Sequence, residues 1–405
     1  MSSDISMTVT DWLKRGAASD AWAATRRDIL ENDPSNDSYP QYVERASGAH
    51  LWDVEGNRYL DFIMGYGPVV LGHADSRVNT AVCEQLAKGA CISPMWTTRQ
   101  VELAELLVDV IPGAELAYLM RTGSDATSAA VRLARIYTGR TKVAKWGYNG
   151  WHDWTAPRQE GVPPSTLAET LRFEYNDIAS LERLFAEHPG QIACVIMMPF
   201  ELEEPRPGFL AEVKALAHRN GAVFILDEMR SGFRMALGGA QEYFGVQADI
   251  ATYSKAMANG YAISAVVGKQ ELLKCLGRTH MSSTFFANAP EMAAAIATIS
   301  VLRESDVIPR LWELGTAFQD GLREIVRTTG LPAEVTGYPI APFLQFREAD
   351  DTAASRAKEA FYAGTIGRGL LLHPNHQWFL CGAHTRADID WALEVCAEAA
   401  RASAA

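Results

Sequence analysis

Between about residues 75 and 275, short apolar runs alternate with helical patterns, and this alternation limits the possible folds more than any other feature of the 405-residue chain. Apolar runs lie near 116–120, 142–146, 192–198, 222–226, 250–253 and 263–267. They are apolar almost throughout, not at every second residue, which is the pattern of strands buried on both faces. Helical periodicity fills the gaps, near 76–89, near 98–110, over Asp177 to His188 and over Leu210 to Asn220. Helices that carry the chain back between strands give a mostly parallel sheet with both faces covered. The expected class is α/β, with this large domain spanning 76–305. Residues 1–75 read as an N-terminal arm followed by a hairpin over Ala49 to Phe62, turning at Val54-Glu-Gly-Asn57. After about residue 306 the pattern changes to a small C-terminal α+β domain that runs to residue 405.

In open sheets of this kind, ligands bind at the C-terminal strand ends. Three groups there carry chemistry. Asp227 closes the apolar strand Ala222 to Leu226, and a buried carboxylate needs a cationic or donor partner. Lys255 lies between the apolar runs Ile250 to Tyr253 and Ile263 to Val267. It is either a surface lysine in a turn or a desolvated amine able to form a Schiff base with a carbonyl. Gly123 and Ser124 follow the strand Leu116 to Met120 and open a helix. Ala126, Ala129, Ala130, Leu133, Ala134 and Tyr137 mark the apolar face of that helix. Its start offers free N–H groups and the positive dipole end to a phosphate, although Ser124 could equally be a simple cap. An amine, a buried carboxylate and a phosphate cradle together suit a phosphorylated carbonyl cofactor with a ring nitrogen.

Leu226-Asp-Glu-Met-Arg-Ser-Gly-Phe-Arg234 with Ser254-Lys255 carries a family resemblance. Gly48-Ala-His-Leu-Trp-Asp-Val-Glu-Gly-Asn-Arg-Tyr-Leu-Asp61, Gly72-His-Ala74 and Gly147-Tyr-Asn-Gly-Trp-His-Asp153 extend it. Together they make the chain, from about Ala46 to Ala400, similar to the class III, fold type I aminotransferases that use pyridoxal 5'-phosphate (PLP), and to the glutamate-1-semialdehyde aminomutase branch in particular. The resemblance implies a seven-stranded sheet, PLP held by Lys255, and Asp227 opposite the pyridine nitrogen. Gly123 and Ser124 would take the phosphate, and Tyr148 and Met229 the two faces of the ring. Thr284, in Met281-Ser-Ser-Thr-Phe-Phe-Ala-Asn-Ala-Pro290, would reach the phosphate of a neighbouring subunit in a homodimer with shared sites, unless it only caps the segment that follows. Tyr66, set between glycines, either lies in an exposed turn or stands beside the substrate. Trp151, His376 and Trp378 would complete the substrate lining, with Arg26, Arg27 and Tyr39 of the arm as further contacts.

This sequence also departs from the family. Asn149 stands where relatives often carry His, and Met198 replaces a common carboxylate. Glu203 is nearest in register to an Asn that approaches the cofactor's 3-hydroxyl. The segment before Cys381-Gly-Ala-His384 lacks the carboxylate of the aminomutases. The resemblance therefore implies transfer of an amino group from a small-molecule donor, such as L-glutamate, to an aldehyde or ketone. Intramolecular transfer, a racemase or epimerase, and a non-catalytic homologue are the alternatives. Arg121, Arg230 and Arg234 are candidate carboxylate clamps.

Composition narrows the partners. A net charge of −12 without a basic block excludes a nucleic-acid or anionic-membrane surface. The six cysteines are scattered with no Cys-x-x-Cys, so neither disulfides nor a zinc site is expected, and His373-Pro-Asn-His376 reads as a loop. The polar, charged N-terminus reads as lacking a signal peptide, and the expected location is the cytoplasm.

Overall fold

Seven strands build the sheet of the unit Ser76–Ile308: β1 (Leu116–Met120), β2 (Lys142–Trp146), β3 (Thr170–Arg172), β4 (Ile192–Met197), β5 (Val223–Asp227), β6 (Ile250–Tyr253) and β7 (Ser264–Gly268). They belong to a computed structural model that describes residues 7–24, 39–347 and 352–403. The strand order is β1-β7-β6-β5-β4-β2-β3. Neighbours from β6 to β3 are parallel, whereas β7 runs antiparallel to both β6 and β1. The reversal has a simple cause. The link from Ser254 to Ile263 holds one short 3-10 turn, less than the dozen or so residues that a parallel crossover needs. Every residue of β4, β5, β6 and β7 is buried, which explains runs that are apolar without alternation. The edge strand β3, Thr-Leu-Arg, has no such run and is not predicted from the pattern of residues.

One helix, α1 (Gly123–Thr138), covers the face of the sheet that leads to the site. Ala126, Ala129, Ala130, Leu133 and Ala134 are buried in a core that includes Val143, Cys194, Ile196, Val223 and Ile225. Small side chains there let the helix axis approach the sheet. Tyr137, expected on this face, is instead exposed; it lies in the last turn, where its hydroxyl donates to Glu271 Oε1 at 3.2 Å. The cap of α1 is Thr122, not Ser124. Thr122 Oγ1 accepts the Asp125 N–H, and Asp125 Oδ2 accepts the Thr122 N–H, forming a closed capping box.

The second unit takes Met1–Asp75 and Pro309–Ala405. Strands Val43–Ser47, His50–Asp53 and Arg58–Asp61 form an antiparallel meander, which Leu370–Leu371 joins in parallel. The expected turn is fixed by Asp53, whose Oδ1 accepts the N–H of Glu55 and Asn57. The hairpin Ala333–Tyr338/Ala341–Phe346 and the helices Thr352–Ile366 and Arg386–Ser403 complete the α+β pattern. Tyr39, read as a possible substrate contact, is buried here, and its hydroxyl donates to the carbonyl of Leu372. Arg26 and Arg27 lie outside the described residues. Among the described residues, no helix is long and apolar enough to cross a membrane and no side-chain group could hold a metal.

Candidate active site

A cavity of about 260 Å³ opens at the C-terminal ends of β2, β4, β5 and β6. Gly123, Ser124, Tyr148, Trp151, Asp227, Met229 and Lys255, seven of the residues singled out from sequence, line it. Tyr66 and His376 belong to the other unit, and Thr284 is not part of the lining.

Lys255 begins the link between β6 and β7 with φ of +45°, a left-handed conformation that costs a β-carbon-bearing residue about 1 kcal/mol. Ser254 holds this link closed: its Oγ donates to Ile263 O at 2.7 Å. Among the described residues, Lys255 Nζ makes no hydrogen bond or ion pair. Burial lowers its pKa to about 7, helped by repulsion from Arg230 and opposed by Asp227. The amine is therefore partly neutral near pH 7, unlike a surface lysine.

Asp227 ends β5 with 1% of its surface exposed. Burial raises its carboxyl pKa, while three kinds of contact oppose the shift. Asn149 Nδ2 donates to Oδ2 at 2.8 Å, Met229 N–H donates to Oδ1 at 3.1 Å, and the charges of Lys255 and Arg230 favour the anion. No cation touches the carboxylate among the described residues. Asn149, flagged in the sequence only as a departure, is thus the nearest side-chain partner of Asp227. Its Oδ1 is buried without a partner.

The start of α1 forms another wall. The capping box uses the Asp125 N–H, and the amides of Gly123 and Ser124 keep no acceptor among the described residues. Ser124 Oγ accepts the Trp151 N–H at 3.3 Å, so its own O–H remains a donor. Two glycines keep this wall thin. A β-carbon on Gly150, at φ +107°, would lie 2.5 Å from Ser124 Oγ, and one on Gly123 would lie 2.9 Å from Met229 Sδ. Tyr148, 53% exposed, presents its ring at the mouth, and Trp151 is 68% exposed. Met198 is buried, and its sulfur accepts the Tyr148 N–H at 3.3 Å.

Several other expectations change. Arg230 Nη1 binds Glu201 Oε1 at 3.1 Å and Arg121 Nη1 binds Glu291 Oε1 at 2.7 Å, while Arg234 is fully buried. None of the three is an open carboxylate clamp. Glu203 accepts from Asn176 Nδ2 at 2.9 Å and does not line the cavity. Trp378 is a core residue of the second unit, not a lining residue: it is fully buried, and its indole N–H donates to His373 O at 2.8 Å. In that same unit Tyr66, His373 and His376 form a ring cluster, with Tyr66 Oη 3.2 Å from His373 Nε2 and the Tyr66 and His376 centroids 4.8 Å apart.

A partly neutral lysine, a buried carboxylate without a contacting cation among the described residues, and a glycine-thinned helix start with open amides line one cavity, and their chemistry fits a phosphorylated pyridine aldehyde. Comparison with known proteins agrees. The class-III aminotransferase family model matches residues 32–377. The 3-aminobutyryl-CoA aminotransferase of Cloacimonas acidaminovorans is 37% identical over 89% of each chain. The glutamate-1-semialdehyde 2,1-aminomutase of Alkaliphilus oremlandii is 34% identical over 89% of this chain and 91% of its own. Among solved structures, the FumI protein of Sphingopyxis sp. MTA144 in its PLP internal aldimine form superposes with a TM-score of 0.90 at 30% identity, covering 96% of this chain and 95% of its own. The chain belongs to the class-III aminotransferase family. It is a PLP-dependent aminotransferase with the fold type I architecture.

Proposed function

We propose that the enzyme is an intermolecular transaminase. It moves the amino group of a donor such as L-glutamate to a separate aldehyde or ketone, with Lys255 and Asp227 as its catalytic residues. The observation that carries this reading is the convergence of Lys255, Asp227 and the Gly123–Ser124 turn on one cavity. Bound PLP supplies a carbonyl carbon that takes up nitrogen and a ring that accommodates an electron pair. The residues supply the rest. Lys255 Nζ would hold the cofactor through its carbonyl carbon and give up that place to the donor's amine. Freed, and with a pKa lowered to about 7, Nζ would take the proton from the donor's reacting carbon as base and hand it on as acid to a different carbon, that of the cofactor's carbonyl group, so that the nitrogen stays behind. Asp227, buried and held by Asn149 and the Met229 N–H, keeps a negative charge opposite the ring nitrogen so that this nitrogen stays protonated. Gly123 and Ser124 offer two amides and a hydroxyl to the phosphate. Tyr148 and Met229 flank the ring, and Trp151 extends the lining at the mouth.

Thr284 would serve a second copy of the chain. Its hydroxyl makes no hydrogen bond among the described residues, while its carbonyl accepts from Ser93 Oγ at 3.1 Å. Around it Met95, Trp96 and Phe285 are 62%, 77% and 58% exposed, an apolar surface that suits a homodimer interface. Six free cysteines fit a reducing compartment, and we place the enzyme in the cytoplasm, in a biosynthetic role. Intramolecular transfer is the second reading, carried by the aminomutase relative. It is disfavoured because His373 to His384 contains no carboxylate.

The test is the visible spectrum of the PLP-loaded enzyme with L-glutamate, alongside Lys255→Ala. Bleaching of the band with release of one equivalent of 2-oxoglutarate is expected. In the variant, turnover should fall by at least roughly 10³-fold. Turnover of an aminoaldehyde with no keto acid released would replace this reading by the aminomutase.

A further inference from the structure

A second buried lysine stands behind the site. Lys145 lies on β2 with 3% of its surface exposed, between Arg172 on the edge strand β3 and the apolar Ile196 of β4. Strand register places it. Lys145 pairs with Ile196 of β4, and Ile196 pairs with Ile225 of β5. Side chains alternate along a strand, so Lys145, Ile196 and Ile225 share one face, and Asp227, two residues beyond Ile225, shares it too. This is the face covered by α1, whose core includes Val143, Ile196 and Ile225. The ammonium group has one hydrogen-bond partner, the neutral Thr155 hydroxyl at 2.6 Å; Thr155 is itself buried. Among the described residues no carboxylate contacts it.

Burying a lysine this way costs stability unless a nearby anion compensates. The charged neighbours are few. Arg172, paired with Lys145 on β3, repels it, and Asp227 is the anion that attracts it. Burial brings the Lys145 pKa down to about 8, which leaves it mainly charged at neutral pH. The groups that act most strongly on Asp227 are Asn149, the Met229 amide, Lys255 and Arg230, all on the cavity side, whereas Lys145 lies farther away on the same sheet face, with β4 between its strand and β5.

We propose that Lys145 is a positioning residue of the aminotransferase, a fixed buried cation on the same sheet face as Asp227, two strands away, that favours the ionised form of this carboxylate while Lys255 gains and loses its proton. Lys255 and Arg230 cannot fill that role alone, since Lys255 changes charge during turnover and Arg230 is already bound to Glu201. Thr155 sets the direction of the ammonium group. The proposal rests on the reading of Asp227 given above.

The test compares PLP-loaded wild type, Lys145→Met, Thr155→Val and Asp227→Asn by pH titration of the visible band, with circular dichroism and the thermal midpoint as checks on folding. Loss of a nearby positive charge favours protonated groups, so Lys145→Met should raise the midpoint of the titration by roughly half a unit to one unit. Thr155→Val, which keeps the charge, should shift it far less. A folded, PLP-loaded Lys145→Met with the wild-type midpoint overturns the inference while Asp227→Asn still alters the band. An Asp227→Asn protein that titrates as wild type overturns the Asp227 reading, and this inference with it. If Lys145→Met does not fold, the side-chain nitrogen of Lys145 in the wild type decides the question by NMR: a charged amine at pH 7 supports the proposal, and a neutral one ends it.

Discussion

The pKa of Lys255, lowered to about 7 by burial, separates this residue from a surface lysine. A neutral amine attacks a carbonyl and an ammonium does not, so PLP uptake by the apo-protein should accelerate as pH rises and level off above about pH 8, with a midpoint near 7. Stopped-flow reconstitution across pH 5.5–9 reads this directly. A midpoint near 10 would mean that Nζ is solvated. The linked effect on stability has a definite sign. The folded pKa lies below the unfolded one, so the unfolded chain binds more protons between about pH 7 and 10.5, and apo-protein stability rises through that window from this group. Sterics make a second prediction at this scale. Gly150→Ala places a β-carbon 2.5 Å from Ser124 Oγ at a backbone φ of +107°, so Ser124 must move. PLP affinity, measured by fluorescence titration, should weaken by roughly tenfold, and a larger loss is expected in Gly150→Val. Lys255, Asp227 and Gly123–Ser124 were legible in the sequence because each stands at the end of an apolar run. Asn149 and Lys145 were not, because their roles depend on which strands are neighbours, and single-strand patterns carry no information about register; Thr122 carried a local signal, Thr-x-x-Asp at the start of the helix, that the choice of Ser124 as cap passed over.

At the scale of elements, α1 and the β6–β7 link hold the site. The capping box of Thr122 and Asp125 closes the start of α1 and leaves the next two amides open, so the cap and the anion cradle are parts of one turn. Thr122→Ala should lower stability by about 1 kcal/mol, and the thermal midpoint by roughly 2–4 °C. Differential scanning calorimetry of apo and PLP-loaded protein separates this loss from any loss of phosphate binding. Strands with continuous apolar sequence were found within a residue or two of their true ends. Two features escaped the reading for physical reasons. β3 is too short and polar to leave a pattern, and Val43–Ser47 is exposed over most of its length, so no burial shaped its sequence. The antiparallel turn of β7 could have been read from the shortness of its link, which leaves no room for a crossover helix.

The whole molecule has a mostly parallel sheet that carries the site, and a second unit assembled from both chain ends. Trp96, 77% exposed beside Met95, has no role in a monomer that would justify such exposure. If the proposed homodimer forms through this surface, Trp96→Glu should shift the protein toward monomer in sedimentation velocity and reduce PLP retention, because the proposed contact of Thr284 with the partner's site would be lost. A variant that stays dimeric would move the interface elsewhere.

The pairing of Leu60 with Leu370 and of Asp61 with Leu371 has a consequence for synthesis. The ribosome makes the meander early and its fourth strand some three hundred residues later, which at about 5–20 residues per second is a wait on the order of 15–60 s. Throughout that interval one edge of the meander is bare, while the sheet of the other unit, Ser76–Ile308, emerges as one uninterrupted stretch and can close first. The chain therefore carries an early segment that needs protection until the last quarter is released, and a nascent chain stalled before Leu370 should depend on chaperones in a way that the finished enzyme does not.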